Sequence, residues 1–195
     1  VTIDIDKATP WLLARFVNIL KSNLAGELTA QENDASGNYP LPAPEHYIVG
    51  RDSTVEVFRR LNIDEVGCWV SQDGPSETVG QFSGSPDDRA NDQDTSVMLG
   101  LVAREPAGVD PMPTTLVDGT SMGRELLMAE WLGQRAHLFK GALINTVAKH
   151  IQDPTVAGEM ELEDNQAQGQ QIDDFGRAST AVVTFTIGQD VLIPR

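Results

Sequence analysis

Three kinds of side chain in this sequence carry chemistry of the sort that catalysis or metal binding needs. Carboxylates gather in Asp87-Asp-Arg-Ala-Asn-Asp-Gln-Asp94, in Glu161-Leu-Glu-Asp164 and at Asp173-Asp174. Histidine occurs at His46, His137 and His150, and the one thiol is Cys68. Asp88, Asp92 and Asp94 are oxygen donors at a spacing that invites calcium. An EF-hand loop, however, takes glycine at its sixth position and glutamate at its twelfth. Counted from Asp88, those positions hold Gln93 and Leu99. A solvated loop is the expectation for all three acidic runs. No two histidines stand at metal-ligand spacing, and His150 suits a helix C-terminus, where a cation meets the negative end of the dipole. Cys68 lies in the apolar run Val66-Gly-Cys-Trp-Val70, where a free cysteine acts as a small buried hydrophobe. No serine occupies a Gly-x-Ser-x-Gly elbow, since Gly84 between Ser83 and Ser85 is loop composition. Glycine-rich phosphate-binding fingerprints are missing too. The sequence therefore nominates no catalytic, cofactor-binding or metal-binding residue. The competing reading is a small enzyme or ligand-binding module built on a carboxylate cleft.

The elements that would position such groups are easier to read. The chain has 195 residues and a net charge of −15, which fits one domain with long loops. A single cysteine permits no internal disulfide. No apolar run reaches the ~18 residues of a membrane span, and the opening Val-Thr-Ile-Asp-Ile-Asp is too acidic for a signal peptide. Arg59-Arg60 is the one adjacent basic pair, so the basic stripe that grips a nucleic-acid backbone is absent.

Thr9 and Pro10 read as the cap and first position of a helix. Trp11, Leu12, Leu13, Phe16, Val17, Ile19, Leu20 and Leu24 give it an apolar face. Gly26 is its expected stop, so the helix should cover about 10–24. Residues 27–45 read as a loop with Pro40, Pro42 and Pro44. A strand is expected at His46-Tyr-Ile-Val49. Residues 53–61 carry both a capping-box pattern and an alternating pattern, and the reading favours an extended piece. Strands Val66–Val70 and Ser96–Ala103 should form a hairpin around a long polar loop, 72–92. A helix capped by Thr120 or Ser121 should run to Ile151, kinked or split by Gly133 or Gly141. Residues 152–171 read as a second polar loop. From Ala181 to Ile187 every residue but alanine is β-branched or aromatic, the composition of a strand. Trp11, Trp69 and Trp131 sit in apolar patterns, as core or interface anchors. The order implies an α+β fold: a mostly antiparallel sheet flanked by an N-terminal helix and a long second helical segment, with a long-loop β-hairpin.

That order of elements resembles the tail terminators of long-tailed bacteriophages, the lambda-type minor tail proteins that cap a completed tail tube. The corresponding parts here are the helix Trp11–Leu24, the hairpin of Val66–Val70 with Ser96–Ala103, the helix from Glu125 to Ile151 with Trp131, and the strand Thr180–Ile187. The resemblance is one of pattern across most of the chain and includes no diagnostic motif. The chain is longer than that family at 27–45, 72–92 and 152–171, which also fits another neck component, a head-completion or stopper protein. The resemblance implies a virion structural protein assembled in the host cytoplasm. It implies a homo-oligomeric ring, a hexamer, seated between the tail tube protein and the head connector. DNA would pass through without specific binding, no membrane would be involved, and there are no catalytic residues to carry over.

Overall fold

Leu12, Phe16, Leu20, Leu24 and Leu28 recur every fourth residue, and all five are fully buried. Four residues turn an α-helix by ~40° more than one revolution, so this stripe winds slowly around helix α1 (Ile5–Asp34). The helix thereby packs against both the sheet and the second long helix. It exceeds the expected 10–24 at both ends. Pro10 falls inside it, forfeiting one i→i−4 bond without ending it. Gly26 is exposed, with open space where a Cβ would stand. It costs ~1 kcal/mol against alanine, and burial of Leu28 in the next turn outweighs that. The expected loop 27–45 thus begins only after the helix.

The computed structural model describes residues 3–35, 39–50, 54–62, 65–72, 78–79, 90–105, 124–151, 161–172 and 176–192. Their fold is α+β, with the mostly antiparallel sheet that the sequence implied. The strands are β1 (Ile3–Asp4), β2 (His46–Val49), β3 (Val66–Gln72), β4 (Thr78–Val79), β5 (Ala90–Arg104), β6 (Glu161–Ile172) and β7 (Gly176–Leu192). The main path across the sheet is β1-β7-β5-β3-β2, with β6 beside β7 and β4 beside β5. Two pairings are parallel, β1 with β7 and β2 with β3.

The parallel β2–β3 pair explains a correction. Adjacent parallel strands need a crossover, usually helical, and Thr54–Arg60 forms helix α2 where an extended piece was expected. Val57 and Phe58 are its buried anchors, with Glu56 in its first turn and Arg59 and Arg60 in its last, the arrangement the helix dipole favours. The hairpin of β3 and β5 is present, in register from Val66↔Ala103 to Gln72↔Val97. Its loop is shorter than 72–92, because Gln72 ends β3 and β5 starts at Ala90. Within it Thr78 and Val79 pair with Asp94 and Gln93. The remainder, 73–77 and 80–89, and the connector 106–123 lie outside the described residues.

The second long helix, α3 (Arg124–His150), continues through Gly133 and Gly141. Its buried positions include Met128, Leu132, Arg135, Phe139, Leu143 and Val147, a three-to-four spacing that faces one side. The second polar loop is a further correction. Residues 161–172 form strand β6, antiparallel to β7, and only 152–160 lie outside the described residues. Gln166, Gln168 and Gln171 are exposed, as suits an edge strand whose pairing, not its composition, sets its conformation. Small residues let β6 approach α3. A Cβ on Gly169 would lie 2.5 Å from Leu132 Cβ and 3.0 Å from the Gly133 nitrogen. Ser179 Oγ donates to the Leu132 carbonyl at 2.9 Å, tying β7 to the same turn.

The core fills both faces of the sheet. On the face under α1 and α3, Val66, Cys68 and Val70 alternate along β3, Val97, Leu99, Leu101 and Ala103 along β5, and Ala181, Val183, Phe185 and Ile187 along β7. Phe139 belongs to this cluster, and Phe16 meets Phe185 with ring centroids 6.2 Å apart. On the other face α2 covers Trp69 and Val102. Trp69 stands opposite Gly100, where any Cβ would collide with the indole. Trp131, expected as a core or interface anchor, does not join either sheet cluster. Trp131 is buried, but it stacks on Tyr39 at 6.1 Å and clusters with Met128 and Leu132.

Candidate functional site

Cys68 is fully buried, and that burial pushes its thiol up to about 12. It is a packing residue, as its apolar surroundings implied. His137 is exposed on α3 and His150 is half-buried at its C-terminal end. Asp94 is an exposed residue of β5. The side chains of 87–93, like Ser83, Ser85, Asp173 and Asp174, lie outside the described residues. Glu161, Glu163 and Asp164 stand in β6, beside a break in its register with β7, and not in a loop.

One constellation escaped the sequence reading. Glu45, His46 and Glu65 each bring a ligand-type atom to one spot, all within 4.8 Å of one another. The parallel ladder of β2 and β3 is responsible. His46 stands opposite Gly67, and Glu45 N–H donates to the Val66 carbonyl at 3.1 Å. The residues that lead into the two strands are therefore neighbours. His46 Nε2 lies 3.4 Å from Glu65 Oε2. Asn62 fixes the Glu65 carboxylate from the other side: its backbone N–H donates to Oε2 at 2.8 Å and its side-chain amide to Oε1 at 2.7 Å. The Asn62 bonds, with a smaller contribution from His46, hold the Glu65 carboxyl below the usual carboxylate range, because hydrogen bonds to the charged form favour it. Nothing in the spacing flags this group, since Glu65 is far from His46 in sequence and only topology joins them. The cluster sits at the surface, with the His46 side chain 50% exposed, and not in the cleft that the carboxylate-enzyme reading requires.

The second feature is the sheet's outline. Among the described residues, no strand pairs with the outer edge of β2 or with that of β6. An open edge offers unpaired N–H and C=O groups to another chain, and proteins commonly guard it with lysine, proline or a bulge. The twelve residues of β6 contain no lysine, arginine or proline, and its register break between Leu162 and Asn165 lies at its acidic start, leaving Gln166–Ile172 in regular pairing. β2 is short, and its Val49 is 51% exposed, the one large exposed hydrophobic among the described residues. On the interior strands β5 and β7, the sheet face that carries α2 continues as Ser96, Met98, Val182 and Thr186, all only half-buried. Ser96 and Thr186 hydroxyls meet across the strands at 3.3 Å.

Arg135 connects this surface to the core. Its guanidinium is buried, donates to the carbonyls of Pro40 at 2.8 Å and Arg104 at 3.0 Å, and lies over the rings of Trp131 and Phe139. It thus holds the segment leading into β2 against α3 and the end of β5. Arg104 in turn donates to the Leu61 carbonyl and covers Phe58, fixing the end of α2.

No family model matches the sequence, and no curated protein matches it. No helix among the described residues is long and apolar enough to cross a membrane.

Proposed function

We propose that this chain is a virion structural protein of a tailed phage, a homo-oligomeric ring that terminates the tail tube and joins it to the head connector. The observation that carries the reading is the sheet with an open edge on each side among the described residues, β2 and β6. Two different edges of one sheet make a head-to-tail contact, and a head-to-tail contact closes into a ring when its rotation permits. Each subunit then uses both edges, and the closed ring leaves none for further growth. The function is geometric and involves no catalysis. The resemblance to tail terminators supplies the station and the six-fold order. A station as a stopper or head-completion protein in the same neck uses the same edges.

Charge fits a conduit. Six copies carry a formal charge of about −90, from −15 each. Acidic walls repel phosphate and lack the lysine and arginine contacts that make non-specific DNA binding sticky. At physiological salt only charges within ~8 Å of the passing duplex act on it. The test is electron microscopy of purified tail tubes mixed with the protein. Rings capping one tube end are expected. Tubes left bare while the protein stays monomeric refute the reading.

A further inference from the structure

We propose that Glu45, His46 and Glu65 form a binding site for a divalent transition-metal ion of the zinc type, with one imidazole nitrogen and two carboxylate oxygens as ligands and water completing the shell. The proposal is independent of the ring, because it needs only the β2–β3 ladder of a single subunit.

Distance is the first argument. Zinc binds imidazole nitrogen and carboxylate oxygen at about 2.0–2.2 Å, so neighbouring donors in a tetrahedral shell stand about 3.3–3.5 Å apart. His46 Nε2 and Glu65 Oε2 are already 3.4 Å apart. All three donors lie within 4.8 Å of one another, so closure asks about 1.5 Å or less of Glu45, an exposed side chain with free rotamers.

Pre-organisation is the second. Metal ligands are commonly oriented by hydrogen bonds from residues behind them, and Asn62 does this for Glu65 through both carboxylate oxygens. Each oxygen keeps a further lone pair for an ion. The backbones of Glu45 and His46 are held by the bond from Glu45 N–H to Val66 and the ladder that follows it, and the His46 ring already stands against Glu65. Two of the three donors therefore stand in place before an ion arrives.

Donor chemistry is the third. Two carboxylates converging on one imidazole repel each other, and a divalent cation between them removes that repulsion. A plain ion pair of His46 with Glu65 leaves Glu45 unexplained. The nitrogen donor selects zinc, cobalt or nickel over magnesium and calcium, which take oxygen ligands.

The test is calorimetric titration of zinc chloride into full-length protein first dialysed against a chelator. Cobalt is the optical probe, because its visible absorption reports the coordination shell. One equivalent of zinc should bind in the micromolar range, and magnesium should not compete. His46→Ala, Glu45→Gln and Glu65→Gln should each weaken binding roughly tenfold or more, and Asn62→Ala should weaken it without abolishing it. All four positions are at or near the surface, and far-ultraviolet circular dichroism of each variant checks that it is folded. His137→Ala and His150→Ala should leave binding and the cobalt spectrum unchanged. Three results overturn the proposal: no zinc binding by the wild type, unchanged affinity in the His46→Ala, Glu65→Gln double variant, or loss of binding with His137→Ala.

Discussion

Gly169→Ala should destabilise the protein by about 2–4 kcal/mol, and the reason lies in three distances. The new Cβ would meet Leu132 Cβ at 2.5 Å, the Gly133 nitrogen at 3.0 Å and the Ala129 carbonyl oxygen at 3.1 Å. None of these atoms can rotate away, because each is backbone or the first atom of a side chain. Carbon atoms rest about 3.5–4.0 Å apart, so β6 and α3 must separate by about an ångström. Overpacking of this kind costs about 1–3 kcal/mol. The same separation stretches the 2.9 Å bond from Ser179 Oγ to the Leu132 carbonyl, at a further cost of about 0.5–1.5 kcal/mol. For a chain of this length the combined loss corresponds to a Tm lower by roughly 5–15 °C. Gly26→Ala is the matched control: its Cβ enters open space on an exposed helix face, and it should stabilise by up to ~1 kcal/mol. Urea denaturation followed by circular dichroism measures both. A Gly169→Ala midpoint within ~0.5 kcal/mol of wild type refutes the packing of β6 on α3 and returns 161–172 to the polar loop that its composition suggested.

Three further outcomes are expected. Arg135→Met should cost roughly 2–4 kcal/mol in the same assay, because it removes the two charge-assisted hydrogen bonds by which a buried guanidinium ties α3 to the Pro40 and Arg104 carbonyls; an unchanged midpoint would contradict the buried clamp. Cys68 should resist a thiol reagent in native protein and react fully in denaturant, given its complete burial and its raised thiol; rapid native labelling would contradict its place under α1 and α3. Purified protein should show no measurable affinity for duplex DNA even at low salt, and tight, salt-sensitive binding would overturn the conduit argument.

What the sequence disclosed follows the strength of local pattern. The apolar run Ser96–Ala103, the β-branched and aromatic run Ala181–Ile187 and the stripe from Leu12 to Leu24 identified their elements directly, because composition or period there matches the face that is buried. Misreadings occurred where a tertiary partner decides. Strand β6 is rich in glutamine and carries Gly169, so its own propensity says loop, and pairing with β7 makes it a strand. Helix α2 reads equally well as a strand until β2 and β3 are known to be parallel and to need a crossover. Gly26 looked like a stop because an exposed glycine and a capping glycine are the same letter. The cluster of Glu45, His46 and Glu65 left no trace in spacing, since the ladder of β2 and β3 alone brings its members together. Both open edges were equally hidden, because an edge is a property of the sheet order and not of any strand's residues.

The central claim is that these edges join identical subunits. Sedimentation of wild type beside Val49→Lys tests it most directly. Lysine on the outward-facing, 51% exposed Val49 guards the β2 edge as natural edge strands are guarded, and it should leave the stability of the subunit within ~0.5 kcal/mol of wild type. Wild type should sediment at six times the 21.1 kDa of one chain when free, or move with the tail tubes it caps, while Val49→Lys remains a folded monomer in both cases. A wild type that stays at the mass of a single chain, with or without tubes, contradicts the account.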